Sequence, residues 1–322
     1  MSWIDYWMCR WSSTSQFFSD GWGDLGELEE LRARIRERPD PAALDISVEE
    51  VRPGWLRGRF TSADAGEHLP EEVRRGGFDL LLPPDQPNAP VCLHFAGTGE
   101  AATLPRRLLG IPLIRKGIGA LAVQHPYYGS RAPSGQYGTR VRQVTDYLWM
   151  LYLAVQEGRA LLRWMREEGH SHLGVSGFSQ GGFLATTIAA MERAPLAVVP
   201  LGAGLSPAQG LIDGPLSAAF DWNALGPGGI ERCRELVEEL SPRHFQCPQR
   251  LDATIIMGGK DDAIITPQNV QALADLWAGA EVRWLPGGHF QARVSGEREV
   301  RQAIADAFSR LGAQLPPNPD AV

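Results

Sequence analysis

The stretch LGVSGFSQGG (Leu173–Gly182) runs from small and apolar residues into a glycine-rich turn, and a helical pattern, GFLATTIAAM, follows. Its centre, GFSQG (177–181), matches Gly-x-Ser-x-Gly, in which a serine sits on a sharp strand-to-helix turn. The motif alone is weak, because chance gives it in roughly one chain in ten of this length. The strand–turn–helix context is stronger evidence, since glycines on both sides of the serine relieve crowding in a tight turn. The stretch therefore predicts a nucleophilic serine, against which a phosphate-binding loop and a plain glycine-rich corner must be weighed.

Short apolar runs alternate with helical patterns over the rest of the chain. Strands are predicted at 51–60, 78–82, 90–95, 119–124, 173–177, 195–201, 252–258 and 281–285. Helices are predicted at 24–38, 104–116, 139–168, 180–191, 230–240, 267–277 and 297–311. This alternation is typical of an α/β fold with a mostly parallel sheet that helices cover on both faces. We expect an N-terminal extension over 1–45, one domain over 46–312 with a lid insertion at about 202–250, and a disordered tail over 313–322.

Composition and charge exclude several classes of protein. The chain has 322 residues and a formal net charge of −7, which argues against nucleic-acid binding because phosphate affinity needs clustered Lys and Arg. No apolar run reaches the roughly 18–20 residues that cross a bilayer. The four cysteines are scattered, and the N-terminus resembles neither a secretory signal nor a transit peptide. We therefore expect a cytoplasmic protein, and the sequence carries no signal of its oligomeric state.

An acid and a histidine follow the serine in the order that a Ser-Asp-His triad requires. The segment IIMGGKDDAIITP (255–267) ends a predicted strand with Asp261 and Asp262, and EVRWLPGGHFQ (281–291) places His289 in the turn after the next strand. Both follow strands, where α/β sheets place their ligands. We choose Asp262 over Asp261 because AIITP, which follows it, is similar to the run before a proline in hydrolase acid loops. The pattern predicts the triad Ser179, Asp262 and His289.

Two other motifs suggest a cofactor, and neither is complete. FAGTGEAA (95–102) contains the GxGxxA of a dinucleotide fold, but the next strand ends at Gln124 and His125 without the carboxylate that would bind a ribose. His170 and His172 form an HxH pair without a third ligand near in the pattern. We therefore expect no metal and no organic cofactor, and we interpret FAGTGEAA as the oxyanion loop.

The chain also resembles a known family, that of α/β-hydrolase domain-containing protein 18. The matching segments are GWG (21–23), PVCLHFAGTGE (90–100), HPYYGSRAP (125–133), LGVSGFSQGG, KDDAI (260–264) and EVRWLPGGHFQ. Among these, HFAGTG and PYYGSR are specific, whereas the others are common to many hydrolases. The resemblance covers most of the chain from Gly21 to Leu311 and implies an α/β-hydrolase fold and a serine acyl hydrolase that leans towards lipid esters. The stretch before the acid is shorter than we expect of the longer eukaryotic members of the family. We do not infer their cellular location for this chain.

These predictions combine into one mechanism. Ser179 attacks an acyl carbonyl while His289 takes its proton, and Asp262 holds the histidine tautomer. The backbone N–H groups of Ala96 and Gln180 are expected to bind the oxyanion.

The loop HPYYGSR supplies residues near the serine. Tyr127, Tyr128 and Arg131 are expected to line the substrate mouth, although Arg131 is as well placed to hold loops together. Two alternatives stay open: a non-catalytic scaffold on a hydrolase fold, and a peptidase or cofactor-free peroxidase with the same triad.

The N-terminus carries Trp3, Trp7 and Trp11 at a spacing of four, which would form one aromatic stripe on a helix. Such a stripe either packs on the body of the protein or enters a lipid interface. The polar face offers only Arg10, which Asp5 opposes, so we expect packing on the body and keep peripheral membrane contact as the alternative.

Overall fold

The computed structural model describes Asp5, residues 16–84 and residues 86–316, and a nine-stranded sheet forms its centre. The strands are β1 (Ile46–Arg52), β2 (Trp55–Thr61), β3 (Arg75–Leu81), β4 (Val91–Phe95), β5 (Gly119–Val123), β6 (Leu173–Phe178), β7 (Ala197–Leu201), β8 (Ile255–Gly259) and β9 (Glu281–Leu285). Their order across the sheet is β1-β2-β3-β5-β4-β6-β7-β8-β9. The first three strands pair antiparallel, and β3 also pairs antiparallel with β5, while the pairs from β5 to β9 are parallel.

Helices connect the strands and cover both faces of the sheet. They are α1 (Leu25–Glu37), α2 (Glu71–Arg74), α3 (Leu104–Ile114), α4 (Val144–Glu167), α5 (Gln180–Met191), α6 (Ala208–Leu211), α7 (Gly229–Glu238), α8 (Pro267–Leu276), α9 (His289–Ser295) and α10 (Glu297–Leu311). Within the described residues, no helix combines the length and the apolar character that a membrane span needs. The architecture is that of an α/β hydrolase, with a mostly parallel sheet between two layers of helices.

Two hydrophobic clusters form the core, one on each face of the sheet. On β4, Val91 and Leu93 belong to the cluster with α4 and α5, whereas Cys92 between them belongs to the cluster with α3 and α10. Successive side chains of a strand point to opposite faces, so a strand that is covered on both sides is apolar throughout. This explains why the inner strands were recognisable as short continuous apolar runs.

The antiparallel edge of the sheet differs from the prediction. The strand expected at 51–60 is a hairpin of β1 and β2 with its turn at Pro53 and Gly54, where Gly54 adopts a φ of +74°. Most residues of β1 are exposed, so the strand lacks the apolar pattern that makes buried strands recognisable. The loop predicted between the first two strands likewise contains the short helix α2.

The N-terminal part of the described chain joins the same core. Leu28, Leu31 and Ile35 on α1 are buried in the cluster that contains α4. Ala313, in the predicted tail, is buried as well, and residues 317–322 lie outside the described residues. The predicted aromatic stripe of Trp3, Trp7 and Trp11 also lies outside them, so its packing stays a prediction.

A buried ion pair anchors the loop that follows β5. Arg131 is 0% exposed, and its guanidinium donates two bonds to Glu157 on α4, at 2.6 and 2.7 Å. The same group donates to the backbone carbonyls of Val73 and Gln124. Such a bidentate pair fixes geometry as well as adding energy. Arg131 therefore ties the loop, α2, the end of β5 and α4 together.

We predict that Glu157→Gln lowers the free energy of unfolding by about 3 kcal/mol, because it leaves the buried guanidinium without its counter-charge. Asp213→Asn is the control, since it breaks the solvent-exposed pair with Arg234 and is expected to cost under about 1 kcal/mol. Denaturant unfolding measures both. Equal losses in the two variants would contradict the anchoring role of Arg131.

Candidate active site

Ser179 occupies a strained turn between β6 and α5. Its backbone has φ 56° and ψ −118°, a conformation that residues other than glycine rarely adopt. The turn closes because its neighbours are glycines: a Cβ on Gly177 would collide with the backbone of Gly181, and one on Gly181 would collide with the carbonyl of Phe95. Ser179 is half-buried at the carboxyl end of β6. The serine is thus presented at the sheet edge, where the ends of several strands meet.

His289 and Asp262 lie beside the serine in hydrogen-bonding geometry. His289 Nε2 is 2.9 Å from Ser179 Oγ, and His289 Nδ1 is 2.6 Å from Asp262 Oδ2. The tautomer that satisfies both contacts carries its proton on Nδ1, which donates to the carboxylate, while Nε2 accepts from the serine hydroxyl. Both residues are buried, with 1% and 3% of their surface exposed. The arrangement can therefore activate the serine as a nucleophile.

The two neighbouring aspartates have different surroundings. Asp262 is buried, and its second oxygen, Oδ1, accepts from the N–H groups of Ile264 and Ile265 at 2.8 and 2.9 Å. Asp261 is exposed, and its own N–H donates to the carbonyl of Gly287. The structure brings Asp262, and not Asp261, to the histidine.

The loop after β4 lies against the turn that carries Ser179. Ala96 is buried there, and the N–H of Gly97 donates to Glu100. Gln180 is the first residue of α5, so its N–H lies among the donors that an α-helix leaves unpaired at its start. The side-chain oxygen of Gln180 accepts from Thr98, at 3.3 Å. The hydrogen bond between Thr98 and Gln180 keeps the two segments that carry the predicted oxyanion donors, Ala96 and Gln180, next to each other.

Two cavities meet at Ser179. The smaller, of about 40 Å³, is bounded by the start of α5 and the loops after β7 and β8. The larger, of about 180 Å³, has His289 in its wall together with an apolar lining that includes Phe17, Leu211, Phe220 and Phe290. Residues of the 202–250 insertion contribute to both walls.

The structure corrects the expectation that Tyr127, Tyr128 and Arg131 line the substrate mouth. Among the described residues that line the two cavities at Ser179, these three do not occur. All three are buried: the Tyr127 hydroxyl donates to Asp146, the Tyr128 hydroxyl donates to Gln180, and Arg131 binds Glu157. Burial also raises the pKa of both tyrosines. Their position after β5 was predicted correctly, but their side chains support the loop from within.

Two other histidines near the sheet edge are unsuited to proton transfer. Burial, together with a smaller effect of the nearby Arg106, lowers the pKa of His94 to about 3. Burial similarly lowers the pKa of His125 to about 3. Both are therefore neutral near pH 7. The HxH pair, His170 and His172, precedes β6 and so lies at the opposite end of that strand from Ser179.

Sequence reasoning missed Asp5, which the structure places next to the triad. Its carboxylate oxygens accept from the N–H groups of His289 and Phe290, each at 3.0 Å. The contact joins residues 284 positions apart, and no spacing rule connects a single aspartate to so distant a partner. The helix α9 that starts at His289 was also missed, because the glycines before it suggested only a turn.

Solved structures share this fold. An acetyl xylan esterase from Paenibacillus sp. R4 matches with a TM-score of 0.60 at 17% identity, over 96% of this chain and 100% of the other. Acetyl xylan esterase 1 from Thermoanaerobacterium sp. JW/SL YS485 matches with a TM-score of 0.55 at 15% identity, over 96% and 99% of the two chains. At these identities the likeness establishes the fold alone.

Sequence comparisons identify relatives and a family. Uncharacterized protein Rv2627c of Mycobacterium tuberculosis (strain ATCC 25618 / H37Rv) is 30% identical over 166 residues, which are 49% of this chain and 38% of that protein. The chain thus aligns with about two fifths of the length of this curated relative. The model of the family "Alpha/beta hydrolase domain containing 18" matches residues 15–229 and 229–310, which together make up most of the chain. The chain therefore belongs to the alpha/beta hydrolase domain containing 18 family.

Proposed function

We propose that the protein is a serine hydrolase that cleaves carboxylic esters through an acyl-enzyme. The observation that carries the proposal is the chain of short contacts from Ser179 Oγ through His289 to Asp262, at 2.9 and 2.6 Å. A nucleophile in contact with a base, and a base oriented by a third group, is the arrangement that activates a serine. The family and the fold support the same reaction class.

In the proposed reaction, Ser179 Oγ attacks the ester carbonyl as His289 Nε2 takes the hydroxyl proton. Asp262 stabilises the imidazolium that forms, and His289 then returns the proton to the departing alcohol. Water enters next, gives a proton to His289 and attacks the acyl-enzyme, which releases the acid and restores Ser179. The first proton moves between Ser179 and His289, which are already in contact, and the proposed steps use only this chain, the ester and water.

The N–H groups of Ala96 and Gln180 are proposed to bind the negative oxygen of the tetrahedral intermediate. Donors fixed by the backbone need no rearrangement as charge develops, and one such donor contributes about 10²–10³-fold to turnover. The helix dipole of α5 adds positive potential at the same place. The contact between Gln180 and Thr98 supports this role, because it keeps the two donor segments together.

The larger cavity supports a substrate with an apolar portion. Its apolar lining includes Phe17, Leu211, Phe220 and Phe290, while Thr98, Thr139 and Arg140 contribute polar groups beside the triad. Burying a hydrocarbon chain against such a surface contributes about 0.8 kcal/mol for each methylene. We therefore propose an ester with an apolar, lipid-like group. The 202–250 insertion is proposed to act as a lid over this group, because Leu211 and Phe220 belong to it.

We predict that Ser179→Ala lowers the turnover of soluble esters by about 10⁴- to 10⁶-fold, as the loss of a triad nucleophile does. The fold is expected to remain intact, as circular dichroism would show. Ser171→Ala, at an exposed serine, is the matched control and is expected to leave turnover unchanged. Activity of Ser179→Ala within about tenfold of the parent would refute the assignment of the nucleophile.

We also predict that substitutions of the two adjacent aspartates differ in their effect on turnover. Asp262→Asn is expected to lower turnover by about 10⁴-fold, because the amide cannot hold the histidine in the tautomer that accepts the serine proton. Asp261→Asn is expected to stay within about threefold of the parent, since Asp261 is exposed. Steady-state kinetics on one ester compares the two. The reverse order would show that Asp261 is the acid.

A further inference from the structure

A carboxylate from the N-terminal segment reaches the backbone of the catalytic base. Asp5 is 0% exposed, its Oδ2 accepts from the N–H of His289 at 3.0 Å, and its Oδ1 accepts from the N–H of Phe290 at 3.0 Å. Both oxygens are thus directed at two successive residues of one short segment. A bidentate contact of this kind restrains the orientation of the segment as well as its position.

The local sequence around His289 explains why an outside group is needed there. The backbone changes direction at Gly287, which has a φ of +87°, and Gly288 precedes the first helical residue without a side chain that caps α9. The first N–H groups of a helix have no partner within the helix, and glycines leave the chain leading into it flexible. A carboxylate is the side chain best suited to such donors. Asp5 supplies this cap from a distant part of the chain.

The segment that Asp5 holds, His289 and Phe290, carries two parts of the proposed site. The His289 ring must keep one nitrogen at 2.6 Å from Asp262 and the other at 2.9 Å from Ser179. Phe290, next along the chain, contacts that ring edge-on at a centroid distance of 5.4 Å and lines the larger cavity. A displacement of the backbone here would move the base and the cavity wall together.

Asp5 also lies outside the part of the chain that the family shares. The family model begins its match at residue 15, ten positions after Asp5. The triad, the elbow glycines and the oxyanion loop all lie within the matched residues. The contact of Asp5 with His289 thus comes from a residue before the matched range.

We propose that Asp5 is a positioning residue for the hydrolase reaction: its carboxylate holds the backbone of His289 and Phe290 so that the histidine ring meets Ser179 and Asp262. The proposal rests on the proposed function. It predicts that the N-terminal segment contributes to catalysis through Asp5. Removing the carboxylate then impairs the chemical step and leaves the binding of a short ester unchanged.

Asp5→Asn tests the proposal, and Asp24→Asn is the matched control. Asp24 uses its Oδ1 to accept from the N–H groups of Gly26 and Glu27, at 2.7 and 3.0 Å, at the start of α1. Both substitutions replace a carboxylate oxygen by an amide nitrogen, which cannot accept from an N–H group. Of these two aspartates, Asp5 contacts His289 and Asp24 does not.

For Asp5→Asn we expect kcat on an acetyl ester to fall by about 10- to 100-fold, because small misplacements of catalytic groups have effects of this size. The rate of Ser179 labelling by a fluorophosphonate is expected to fall in parallel, with KM within about threefold. Asp24→Asn is expected to retain kcat and labelling at a temperature well below its Tm. Parent-like kcat and labelling in folded Asp5→Asn would overturn the proposal.

Two further measurements keep the test decisive if Asp5→Asn is unstable or if the chain has no ester turnover. In Asp5→Ala, sodium formate is expected to restore fluorophosphonate labelling, whereas sodium chloride at equal ionic strength is not. Equal effects of both salts overturn the proposal.

Hydrogen exchange of the amides at 289 and 290 is expected to accelerate in Asp5→Asn and not in Asp24→Asn. Unchanged exchange overturns the contact itself, whereas a parent without turnover refutes only the proposed ester hydrolysis.

Discussion

The backbone conformation of Ser179 is the constraint on which the site depends. A serine at φ 56° and ψ −118° is strained, and the surrounding structure has to impose this conformation. The chain achieves this by placing glycines where any Cβ would collide, at Gly177 and Gly181, so that β6, α5 and the loop after β4 approach closely. The result is a half-buried serine at the sheet edge, immediately before the first residue of α5.

The parallel part of the sheet brings the remaining groups to this turn. Ser179 follows β6, Asp262 follows β8 and His289 follows β9, and the carboxyl ends of parallel strands share one edge of a sheet. The proposed acid and base are then held from several sides, Asp262 by the N–H groups of its own loop and His289 by Asp5. Burial excludes water from these contacts, which strengthens them. The groups around the proposed nucleophile are therefore held by several contacts, and two cavities meet at Ser179.

Much of this arrangement was predictable from the sequence because local rules govern it. The buried strands are continuous apolar runs, the helix limits of α5 and α10 were predicted to the residue, and the order of serine, acid and histidine selected three loops at one sheet edge. The choice between Asp261 and Asp262 rested on the residues that follow each of them. In the structure only Asp262 is buried against the histidine.

The features that escaped prediction depend on contacts between distant segments. Nothing local distinguishes Arg131 as a buried anchor from Arg131 as a ligand-binding residue, because its partner Glu157 lies on another element. The same is true of Asp5, whose partners lie 284 and 285 positions away. The strand β1 was missed for a different reason, since a mostly exposed strand carries no apolar pattern.

Mapping the site of covalent modification tests the central claim most directly. The protein is treated with a fluorophosphonate, its intact mass is measured, and the modified peptide is sequenced by mass spectrometry. The account predicts a single adduct per chain, on Ser179, because this hydroxyl combines a buried histidine base at 2.9 Å with adjoining backbone donors. An unmodified protein, or an adduct on another residue, would contradict the assignment of Ser179 as the nucleophile.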